Sequence, residues 1–458
     1  MLDDVLKTID DDLPSSLERL SNLLRIESIS TDPAYAADVG AAAEWLATDL
    51  AGLGFDASVR PTPGHPIVVA HDRRAASGPH VLFYGHYDVQ PVDPLVEWAT
   101  PPFEPQLVTV DGRDRIVARG ASDDKGQLMT FVEACRAWLK VAGRLPVPVS
   151  MILEGEEESG SGSLKPFLVA NADELRASVA LVCDTAMWSP TRPAITIMLR
   201  GMVGEEFTVI AADRDLHSGL FGGAARNPNH VVADIVAGLH DVDRRVTLDG
   251  FYDGVGEPAE AIRAIWESLR FDQSAFLGSV GLSAPAGEAG RSVLEHIWSR
   301  PTAEVNGMIG GYTGDGFKTV IPAKASAKVS FRLVGDQNPE RVRESFRAYV
   351  RSWLPSDCRV EFSPHGGSPA LRLPHDGAAV AAARKALRDE WGVEPALVGS
   401  GGSIPVVGMF KQALGMDSLM VGFALDDDRI HSPNEKYDVA SFRGGIRSWA
   451  RILASLAE

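Results

Sequence analysis

The sequence predicts an α/β protein whose mixed, mostly parallel sheet is flanked by helices, with an α+β domain inserted into it. Three observations support this prediction. Apolar segments of strand length alternate with amphipathic segments of helix length up to about residue 193, a different pattern follows, and the first pattern resumes near residue 367. We therefore expect one domain over residues 1–193 and 367–458, interrupted by an inserted domain over 194–366.

The first domain begins with two predicted helices. Residues 1–30 show helical periodicity with a break at Pro14, and a second helix over about 34–53 ends at Gly54. A further helix is predicted at about 125–142, and four apolar segments are interpreted as strands: 67–71, 80–84, 147–153 and 177–183. Because strands and helices alternate, we expect a mostly parallel sheet with helices on both faces.

The inserted domain and the last part of the chain contain the same two kinds of element. The strands predicted in the inserted domain are 194–199, 206–211 and 324–334. Its predicted helices are 229–242, 257–270 and 339–353. After residue 367 the predicted elements are a helix at 376–390, a helix after Pro405, a strand at 419–424 and a final helix from about 440.

Composition places the chain among globular proteins and limits its partners. Of the 458 residues, 45% are hydrophobic and 23% are charged, and the formal net charge is -18. A surface this acidic makes nucleic acid and anionic membrane poor partners. No run approaches the ~20 apolar residues of a membrane span. The acidic N-terminus also lacks the apolar segment of a signal peptide.

The cysteines argue for a reducing compartment. Cys135, Cys183 and Cys358 are an odd number without a CxxC pair, which argues against a disulfide scaffold. Cys135 falls on the same helical face as Leu128 and Val132, so we expect it in the core. These features predict a cytoplasmic protein.

The first stretch that points to chemistry is Val81–Pro91. Residues 81–84 are interpreted as a short buried strand, and His86 and Asp88 follow two positions apart. In an extended chain both side chains point to one side, at the carboxyl end of the strand, where open α/β sheets bind ligands. A histidine backed by a carboxylate is typical of a metal ligand and its orienting partner, although an HxD pair also arises by chance.

Four further stretches bring a His or carboxylates to strand ends or strand-to-helix turns. Asp123 and Asp124 lie on a glycine-bounded turn before a helix, where they fit either a ligand site or simple N-caps. Glutamates 156–158 follow a predicted strand, and the alternative there is a solvated acidic loop. Asp184 ends another apolar strand, and His431 follows the last predicted strand.

Taken together, these side chains suit a pair of divalent metal ions. Such ions prefer oxygen and imidazole donors, with one carboxylate bridging ions that lie ~3.5–4 Å apart. Each stretch alone is a weak signal. Their joint placement at one edge of a sheet predicts a hydrolytic dinuclear metal centre.

At these stretches the chain resembles the dinuclear-metal aminopeptidase-like family, which includes cytosolic dipeptidases and carnosinases, bacterial glutamate carboxypeptidase, aminoacylases and succinyl-diaminopimelate desuccinylase. The resemblance runs from about residue 20 to the C-terminus and rests on Tyr84–Pro91, Gly120–Gly126 and Glu156–Gly160. It implies a zinc-peptidase-like catalytic domain and an inserted lid and dimerisation domain, and therefore a homodimer.

The resemblance also implies a role for each of these residues. His86 would bind one metal ion and Asp88 would orient it. Asp123 would bridge both ions and would join Asp124 through a cis peptide bond. Glu157 would be the general base. The remaining ligands would be Asp184 for the first ion and Glu158 and His431 for the second.

Residues that contact the substrate are expected in the inserted domain and near residue 402. The segment around His217 resembles one whose histidine reaches the other subunit's site and stabilises an oxyanion. Thr319 and Arg332 would bind the C-terminal carboxylate of the substrate, since bidentate recognition of a carboxylate favours arginine. Gly402 and Ser403 resemble a carboxylate-binding turn of the dipeptidase branch. The alternative for His217 and Arg332 is an ordinary loop or strand residue.

The chain departs from the dipeptidase branch just before this turn. Gly399 and Ser400 stand where that branch usually has Arg-Glu. The departure leaves open how the polar groups of the substrate are bound, and it does not affect the residues of the metal centre.

These observations predict a metal-dependent hydrolase that cleaves the amide bond of dipeptides or small peptides with a free C-terminal carboxylate. Two divalent ions, zinc in preference to manganese or cobalt, would lower the pKa of a water molecule whose proton Glu157 takes. One alternative is an N-acyl-amino-acid deacylase with the same centre. Another is a non-catalytic metal-bearing binding protein, which the presence of Glu157 disfavours.

Other hydrolase classes have less support. Ser122–Lys125 fits S-x-x-K, but no S-D-N, K-T-G or G-x-S-x-G companion accompanies it. HExxH is absent, which excludes a zincin. Gly310–Gly316 lacks the lysine of a phosphate-binding loop and is interpreted as a flexible lid loop.

Overall fold

The computed structural model describes residues 1–75, 78–402 and 404–458. The chain forms two compact units. The first unit comprises Met1–Ile197, Leu373–Val398 and Pro405–Glu458, and the second comprises Met198–Arg372 and Gly399–Ile404. The chain therefore leaves the first unit once for a long segment and once for a short one, and the first unit contains both chain ends.

The N-terminal part of the first unit alternates helices with strands. Its helices are α1 (Leu2–Leu24), α2 (Ala36–Gly52), α3 (Lys125–Ala142), α4 (Leu164–Ala170) and α5 (Ala172–Leu175). Its strands are β1 (Asp56–Arg60), β2 (Ile67–Asp72), β3 (Val81–His86), β4 (Gln106–Val110), β5 (Arg113–Val117), β6 (Val149–Glu154), β7 (Val179–Val182) and β8 (Ala194–Leu199).

The second unit contains the elements that follow β8. Its strands are β9 (Gly201–Ile210), β10 (Leu216–His217), β11 (Thr302–Gly310), β12 (Val320–Ile321), β13 (Lys324–Leu333), β14 (Arg359–Ser368) and β15 (Leu371–Arg372). Its helices are α6 (Ser218–Phe221), α7 (Pro228–Ala237), α8 (Glu260–Ser268), α9 (Gln273–Gly278), α10 (Val293–Trp298) and α11 (Pro339–Trp353).

The C-terminal part returns to the first unit. Its elements in chain order are α12 (Ala378–Trp391), β16 (Ala396–Ser400), α13 (Pro405–Met409), β17 (Ser418–Met420), β18 (Lys436–Asp438) and α14 (Val439–Leu456). A short π-helical segment, Phe410–Leu414, continues α13.

The main sheet of the first unit is parallel at its centre and antiparallel towards its edges. Its strand order is β1-β2-β6-β3-β7-β17-β8, and the pairs β6/β3, β3/β7 and β7/β17 are parallel. Every residue of β2, β3, β6 and β7 is buried, as expected for central strands covered on both faces. Beneath the sheet, Phe83 of β3 stacks on Phe131 of α3, and Trp449 of α14 meets both rings edge-on. The mixed α/β sheet predicted from the sequence is confirmed.

The second unit is built on a four-stranded antiparallel sheet of order β11-β13-β9-β14. Buried residues alternate along β13, so that one face of the sheet packs against α7 and α11. The core between them includes Phe207, Phe331 and Phe346. This arrangement is an α+β unit, in which a layer of helices covers one face of the sheet.

Helix α1 and the last predicted strand differ in their extent from the sequence prediction. Helix α1 continues through Pro14 and does not break there. Pro14 is exposed, so water can satisfy the carbonyl that loses its helical partner. The last predicted strand, 419–424, ends at Met420 in β17.

Candidate metal centre

Three neighbouring parallel strands deliver polar side chains to one edge of the main sheet. β3 ends at His86, β6 ends at Glu154, and β7 ends just before Cys183 and Asp184. His86 is paired with Glu154 in the register of β3 and β6. Because parallel strands end on the same side, the residues that follow them share one crevice.

His86 is a buried histidine whose two ring nitrogens both face acceptors. Its Nε2 lies 3.1 Å from Oδ1 of Asp123. Its Nδ1 lies 3.2 Å from the backbone oxygen of Asp88 and 3.5 Å from Oδ1 of the same residue, so the backbone oxygen is its nearer partner. An imidazole oriented in this way presents Nε2 to the crevice.

The fully buried Asp88 carboxylate accepts hydrogen bonds from residues other than His86. Its Oδ2 accepts hydrogen bonds from the Ser30 hydroxyl at 2.6 Å and from the backbone N–H of Glu158 at 3.0 Å. Its Oδ1 accepts from the backbone N–H of Glu157 at 3.2 Å. Asp88 therefore fixes the short 3₁₀ turn that carries both glutamates.

Asp123 lies on the tight turn that leads into α3. Its peptide bond to Asp124 is cis. Asp124 is at the N-cap of α3, but its side chain makes no capping bond. Instead its Oδ2 accepts the backbone N–H of His86 at 3.1 Å, so the interpretation of this pair as simple N-caps is wrong. The turn also requires a glycine at Gly126, where a Cβ would lie 1.9 Å from the carbonyl oxygen of Ala121.

His431 approaches Asp123 from the opposite side to His86. Its Nε2 lies 2.9 Å from Oδ2 of Asp123 and 3.3 Å from Oε2 of Glu158. The same Glu158 oxygen accepts a hydrogen bond of 2.7 Å from the Gln90 side chain. His431 itself has a φ of 61°, in the left-handed region that residues other than glycine rarely adopt.

The side chains form two groups that share one carboxylate. Ligand atoms of His86, Asp123 and Asp184 lie within 4.8 Å of one another, and so do those of Asp123, Glu158 and His431. Across residues 1–75, 78–402 and 404–458, these are the two groups of His, Cys, Asp or Glu with that geometry. Each group offers one imidazole and two carboxylates, a donor set suited to zinc, manganese or cobalt.

The electrostatics of the crevice also fit cations. Burial and the Asp123 carboxylate raise the pKa of Asp184 to about 7. The carboxylates of Asp123 and Glu158 raise the pKa of His431 to about 10. Burial raises the pKa of Glu157. In the part of the chain that the structure describes, no Lys or Arg forms an ion pair with these four carboxylates, and the cationic partners of Asp123 and Glu158 are the histidines His86 and His431. Divalent ions bound here would take over the compensation of this charge.

The predicted substrate residues belong to the second unit. His217 and Thr319 lie at the short β10/β12 ladder, where Ser218 N–H donates to the Thr319 carbonyl at 3.1 Å. His217 is exposed, and its Nδ1 accepts the N–H of Gly219 at 3.0 Å. Gly402 is exposed and donates its N–H to the Ser400 hydroxyl at 3.2 Å. Ser403 lies outside the described residues.

Arg332 lines a cavity of about 380 Å³ within the second unit. Arg200 lines the same cavity, and burial together with the Arg332 guanidinium lowers the pKa of Arg200 to about 10. Nε of Arg200 donates to the Gly401 carbonyl at 3.2 Å, and one Nη donates to the His296 carbonyl at 3.1 Å. The Glu304 carboxylate lines the same cavity and acts on Arg200 in the opposite direction, by raising its pKa. The repulsion between the two guanidinium groups outweighs this attraction and favours an anionic ligand.

Several residues that hold the centre together were not singled out from the sequence. Ser30 bonds Asp88, Gln90 bonds Glu158, and Glu435 accepts from the turn of Asp123. Gln90 and Glu435 belong to the same stretches as His86 and His431, and that proximity was the available signal. Ser30 carries no such signal. Ser122 is fully buried and donates to Asp428 at 2.7 Å, which gives no support to a nucleophilic role.

Comparisons with known proteins identify similar sequences and structures. Residues 82–455 match the family model described as peptidase family M20/M25/M40. The chain is 31% identical to the Cys-Gly metallodipeptidase dug1 of Schizosaccharomyces pombe, over 100% of this chain and 98% of the relative.

Two solved structures extend the comparison. Human carnosine dipeptidase 1 superposes with a TM-score of 0.83 at 26% identity, covering 100% of this chain and 98% of that one. The M20 family metallo-carboxypeptidase Sso-CP2 from Sulfolobus solfataricus gives 0.83 at 31% identity, covering 96% and 99%.

Proposed function

The chain belongs to peptidase family M20/M25/M40 and is a metal-dependent dipeptidase, and we propose that it hydrolyses dipeptides at a dinuclear centre with Glu157 as the general base. The family resemblance and the enzyme class predicted from the sequence are thereby confirmed. The assignment of individual side chains to roles is a proposal, and the contacts of the centre support it.

One observation carries the proposal. Asp123 is shared by both ligand groups, with one oxygen towards His86 and the other towards His431. A carboxylate with one oxygen on each side is suited to bridge two ions ~3.5–4 Å apart. We assign His86 and Asp184 to the first ion and Glu158 and His431 to the second.

Each step of the proposed hydrolysis is assigned to the bound ions or to a side chain of the protein. Divalent ions bound in the two groups would supply a water molecule of lowered pKa and polarise the scissile carbonyl. Glu157 takes the proton from the attacking water and returns it to the leaving amine. Burial keeps the pKa of Glu157 raised, which helps it hold that proton between the two steps. The Asp88 carboxylate keeps the Glu157 turn in place by accepting a hydrogen bond from the backbone N–H of Glu157.

We propose zinc as the native metal, with manganese and cobalt as substitutes. Each ligand group contains one histidine and two carboxylates. This donor set is borderline in softness, so it suits zinc and also accepts manganese or cobalt.

We propose that the substrate carries a free C-terminal carboxylate and that Arg332 binds it. The half-buried Arg332 shares a cavity with Arg200, and burial together with the Arg332 guanidinium lowers the pKa of Arg200. A carboxylate would relieve the repulsion between them and satisfy the planar donors of Arg332. Thr319, Gly402 and Ser403 are proposed to assist, and His217 to stabilise the oxyanion.

We further propose a homodimer formed through the second unit. β11 is an edge strand of the four-stranded sheet. It exposes Val305, Met308 and Ile309, of which Ile309 is 67% exposed. An apolar edge strand of this kind is a template for pairing with a second chain.

The location proposed is the cytoplasm. All three cysteines, Cys135, Cys183 and Cys358, are free and buried. Unpaired thiols are typical of proteins from reducing compartments. Among the described residues, no helix is long and apolar enough to cross a membrane.

A substrate panel on the metal-loaded protein tests the proposed function. The panel contains dipeptides, the matching dipeptide amides, N-acetyl amino acids and N-succinyl compounds, each assayed with zinc, manganese or cobalt. We expect hydrolysis of dipeptides and much weaker hydrolysis of their amides, which lack the carboxylate. Cleavage confined to acylated amino acids would contradict the proposed hydrolysis of dipeptides and would show that the protein is a deacylase.

A further inference from the structure

Glu435 has a fully buried carboxylate that accepts four hydrogen bonds. Its Oε1 accepts the backbone N–H of Ser122 at 2.9 Å and that of Asp123 at 3.0 Å. Its Oε2 accepts the backbone N–H of Gly120 at 3.0 Å and an Nη of Arg119 at 2.8 Å. All four donors belong to the turn that precedes α3, so a single side chain holds this turn from end to end.

Glu435 comes from the segment that carries His431. The two residues are four positions apart on the loop between β17 and β18. At the end of this loop, the Ala118 N–H donates to the Glu435 carbonyl at 3.1 Å, and β18 then pairs with β5. Glu435 therefore links the segment of His431 to the turn of Asp123, the two sides of the second ligand group.

A simpler explanation of the buried Glu435 carboxylate is that its ion pair with Arg119 stabilises the fold and has no effect on the metal centre. Arg119 and Glu435 are both 1% exposed and lie 2.8 Å apart, so the guanidinium of Arg119 alone would balance the charge of Glu435. That explanation does not account for the three backbone N–H groups, one of which belongs to Asp123 itself. A carboxylate that binds the backbone of a ligand residue fixes where that ligand's own side chain starts.

We propose that Glu435 is a positioning residue that holds Asp123 and His431 at ligand distance and so sets the affinity of the second metal group. The inference rests on the proposed function, because it assumes that Asp123, Glu158 and His431 hold an ion. The first group depends on Glu435 less, because His86 and Asp184 extend directly from β3 and β7 and Asp123 alone links that group to the turn.

Replacing the carboxylate should loosen the turn. In Glu435→Gln, the side-chain NH₂ would face N–H donors, so two of the four hydrogen bonds would be lost and Arg119 would lose its charged partner. Residues that orient metal ligands through hydrogen bonds typically contribute roughly 10- to 100-fold to metal affinity. We expect a loss of that size in the second group and a smaller loss in the first.

The test measures the two metal dissociation constants of the full chain by competition with a chromophoric chelator, using zinc as the probe. The variants are Glu435→Gln and Glu435→Asp, of which the second keeps the charge but is too short to reach all four donors. The matched control is Glu390→Gln, which removes a carboxylate paired with Arg447 and Arg451 in the contact of α12 with α14. The unfolding temperature of each metal-free variant is recorded in parallel.

The expected result is a weakened second zinc in both Glu435 variants, with the ratio of the two dissociation constants changed. Glu390→Gln should unfold at a lower temperature and keep both constants of the unaltered chain. Folded Glu435 variants with unchanged constants, or an equal loss at both groups, would overturn the inference. An unaltered chain that bound fewer than two zinc ions would contradict the proposed dinuclear centre. This outcome differs from a failure of the inference about Glu435, in which the unaltered chain binds two zinc ions and the variants bind them equally well.

Discussion

The Oδ1 atom of Asp88 accepts a hydrogen bond of 3.2 Å from the backbone N–H of Glu157. Asp88 follows β3 and Glu157 follows β6, so this bond joins the ends of two neighbouring strands. The carboxylate that faces the His86 ring thus also places the proposed base. The proposed metal ligand and the proposed base therefore both contact Asp88, His86 mainly through its backbone oxygen and Glu157 through its carboxylate.

Glu157→Gln should remove turnover while both metal ions still bind. A general base contributes about 10²–10⁴-fold to the rate, and a glutamine of the same shape cannot take the proton. The measurement is kcat on a dipeptide, together with the zinc content of the purified variant.

Glu156→Gln is the control for this variant. The Glu156 carboxylate accepts the N–H groups of His65 and Ser163, both at 2.9 Å, so it is occupied in holding the loop. We expect its loss to lower the unfolding temperature and leave kcat largely intact. Retained hydrolysis in Glu157→Gln would remove Glu157 from the role of base.

The sequence predicted the residues of the centre better than the contacts that hold them. His86, Glu158 and Asp184 were predicted from the ends of apolar segments, and parallel strands bring such ends to one edge of the sheet. Asp123 was predicted from a glycine-bounded turn before a helix, and His431 from a segment that follows the last predicted strand. The bonds from Asp88 to the Glu157 turn and from Glu435 to the Asp123 turn involve backbone N–H groups. No residue type marks an N–H donor, so a single sequence gives no signal for them.

Three strands that the sequence prediction missed, β4, β11 and β14, have weak or interrupted patterns. β4 is almost wholly exposed, so it lacks the apolar alternation of a half-buried strand, and β14 alternates only at Val360 and Phe362 before its exposed second half. β14 also contains Pro364, which is tolerated because β14 is an edge strand. β11 has an irregular register between Val305 and Gly307, which breaks its periodicity.

Removing the metal ions should abolish activity and lower the unfolding temperature. The two ligand groups bring the carboxylates of Asp123, Glu158 and Asp184 together. Without metal ions, the histidines that lie against Asp123 and Glu158 offset this repulsion only in part. Ligands that bind only the folded state stabilise it by ~4 kcal/mol at a thousandfold excess over Kd. Dialysis against a chelator, followed by zinc titration during thermal unfolding, measures this effect.

The matched control for metal removal is magnesium. Magnesium prefers oxygen ligands and octahedral geometry, so it should restore neither stability nor activity at the concentrations at which zinc does. An unfolding temperature that does not respond to zinc would contradict the proposed centre.

Glu154 should make the metal-free protein less stable as the pH rises. Burial raises the pKa of Glu154 to about 8, although the Tyr84 hydroxyl donates to its Oε2 at 2.6 Å. The folded state therefore holds this proton more tightly than the unfolded state, whose glutamate has an ordinary pKa of about 4.5. Its contribution to stability is fully present below pH ~4.5 and is lost as the pH rises to ~8.

Glu154→Gln isolates this effect, because the amide resembles the protonated acid and does not titrate. We expect the free energy of unfolding of the variant to depend less on pH between ~5 and ~8, by a few kcal/mol at most. Urea unfolding of both metal-free proteins at several pH values measures the difference. Parallel pH profiles for the two proteins would show that Glu154 is ionised in the folded state.

Arg332→Lys should discriminate dipeptides from their amides. Lysine keeps the positive charge but loses the planar pair of donors that matches a carboxylate. Hydrogen bonds to charged groups contribute ~1.5–3 kcal/mol, so kcat/KM for dipeptides should fall roughly 10- to 100-fold.

The amide analogue serves as the internal control for Arg332→Lys, since its hydrolysis should change little. Arg214→Lys is the protein control, because Arg214 is exposed and pairs only with its neighbour Asp213 in the described structure. An equal fall for dipeptide and amide would mean that Arg332 does not recognise the carboxylate.

Ile309→Lys, alone or with Met308→Lys, should convert the proposed dimer into a monomer. Ile309 and Met308 are 67% and 50% exposed on the edge strand β11, and charged lysines on an edge strand disfavour pairing with another chain. Val242→Lys is the matched control, because Val242 is 97% exposed in the same unit but lies outside the strands. Light scattering coupled to size exclusion measures the mass of each protein. A dimer that persists in the double variant would place the interface elsewhere, and a monomeric unaltered chain would contradict the proposed dimer altogether.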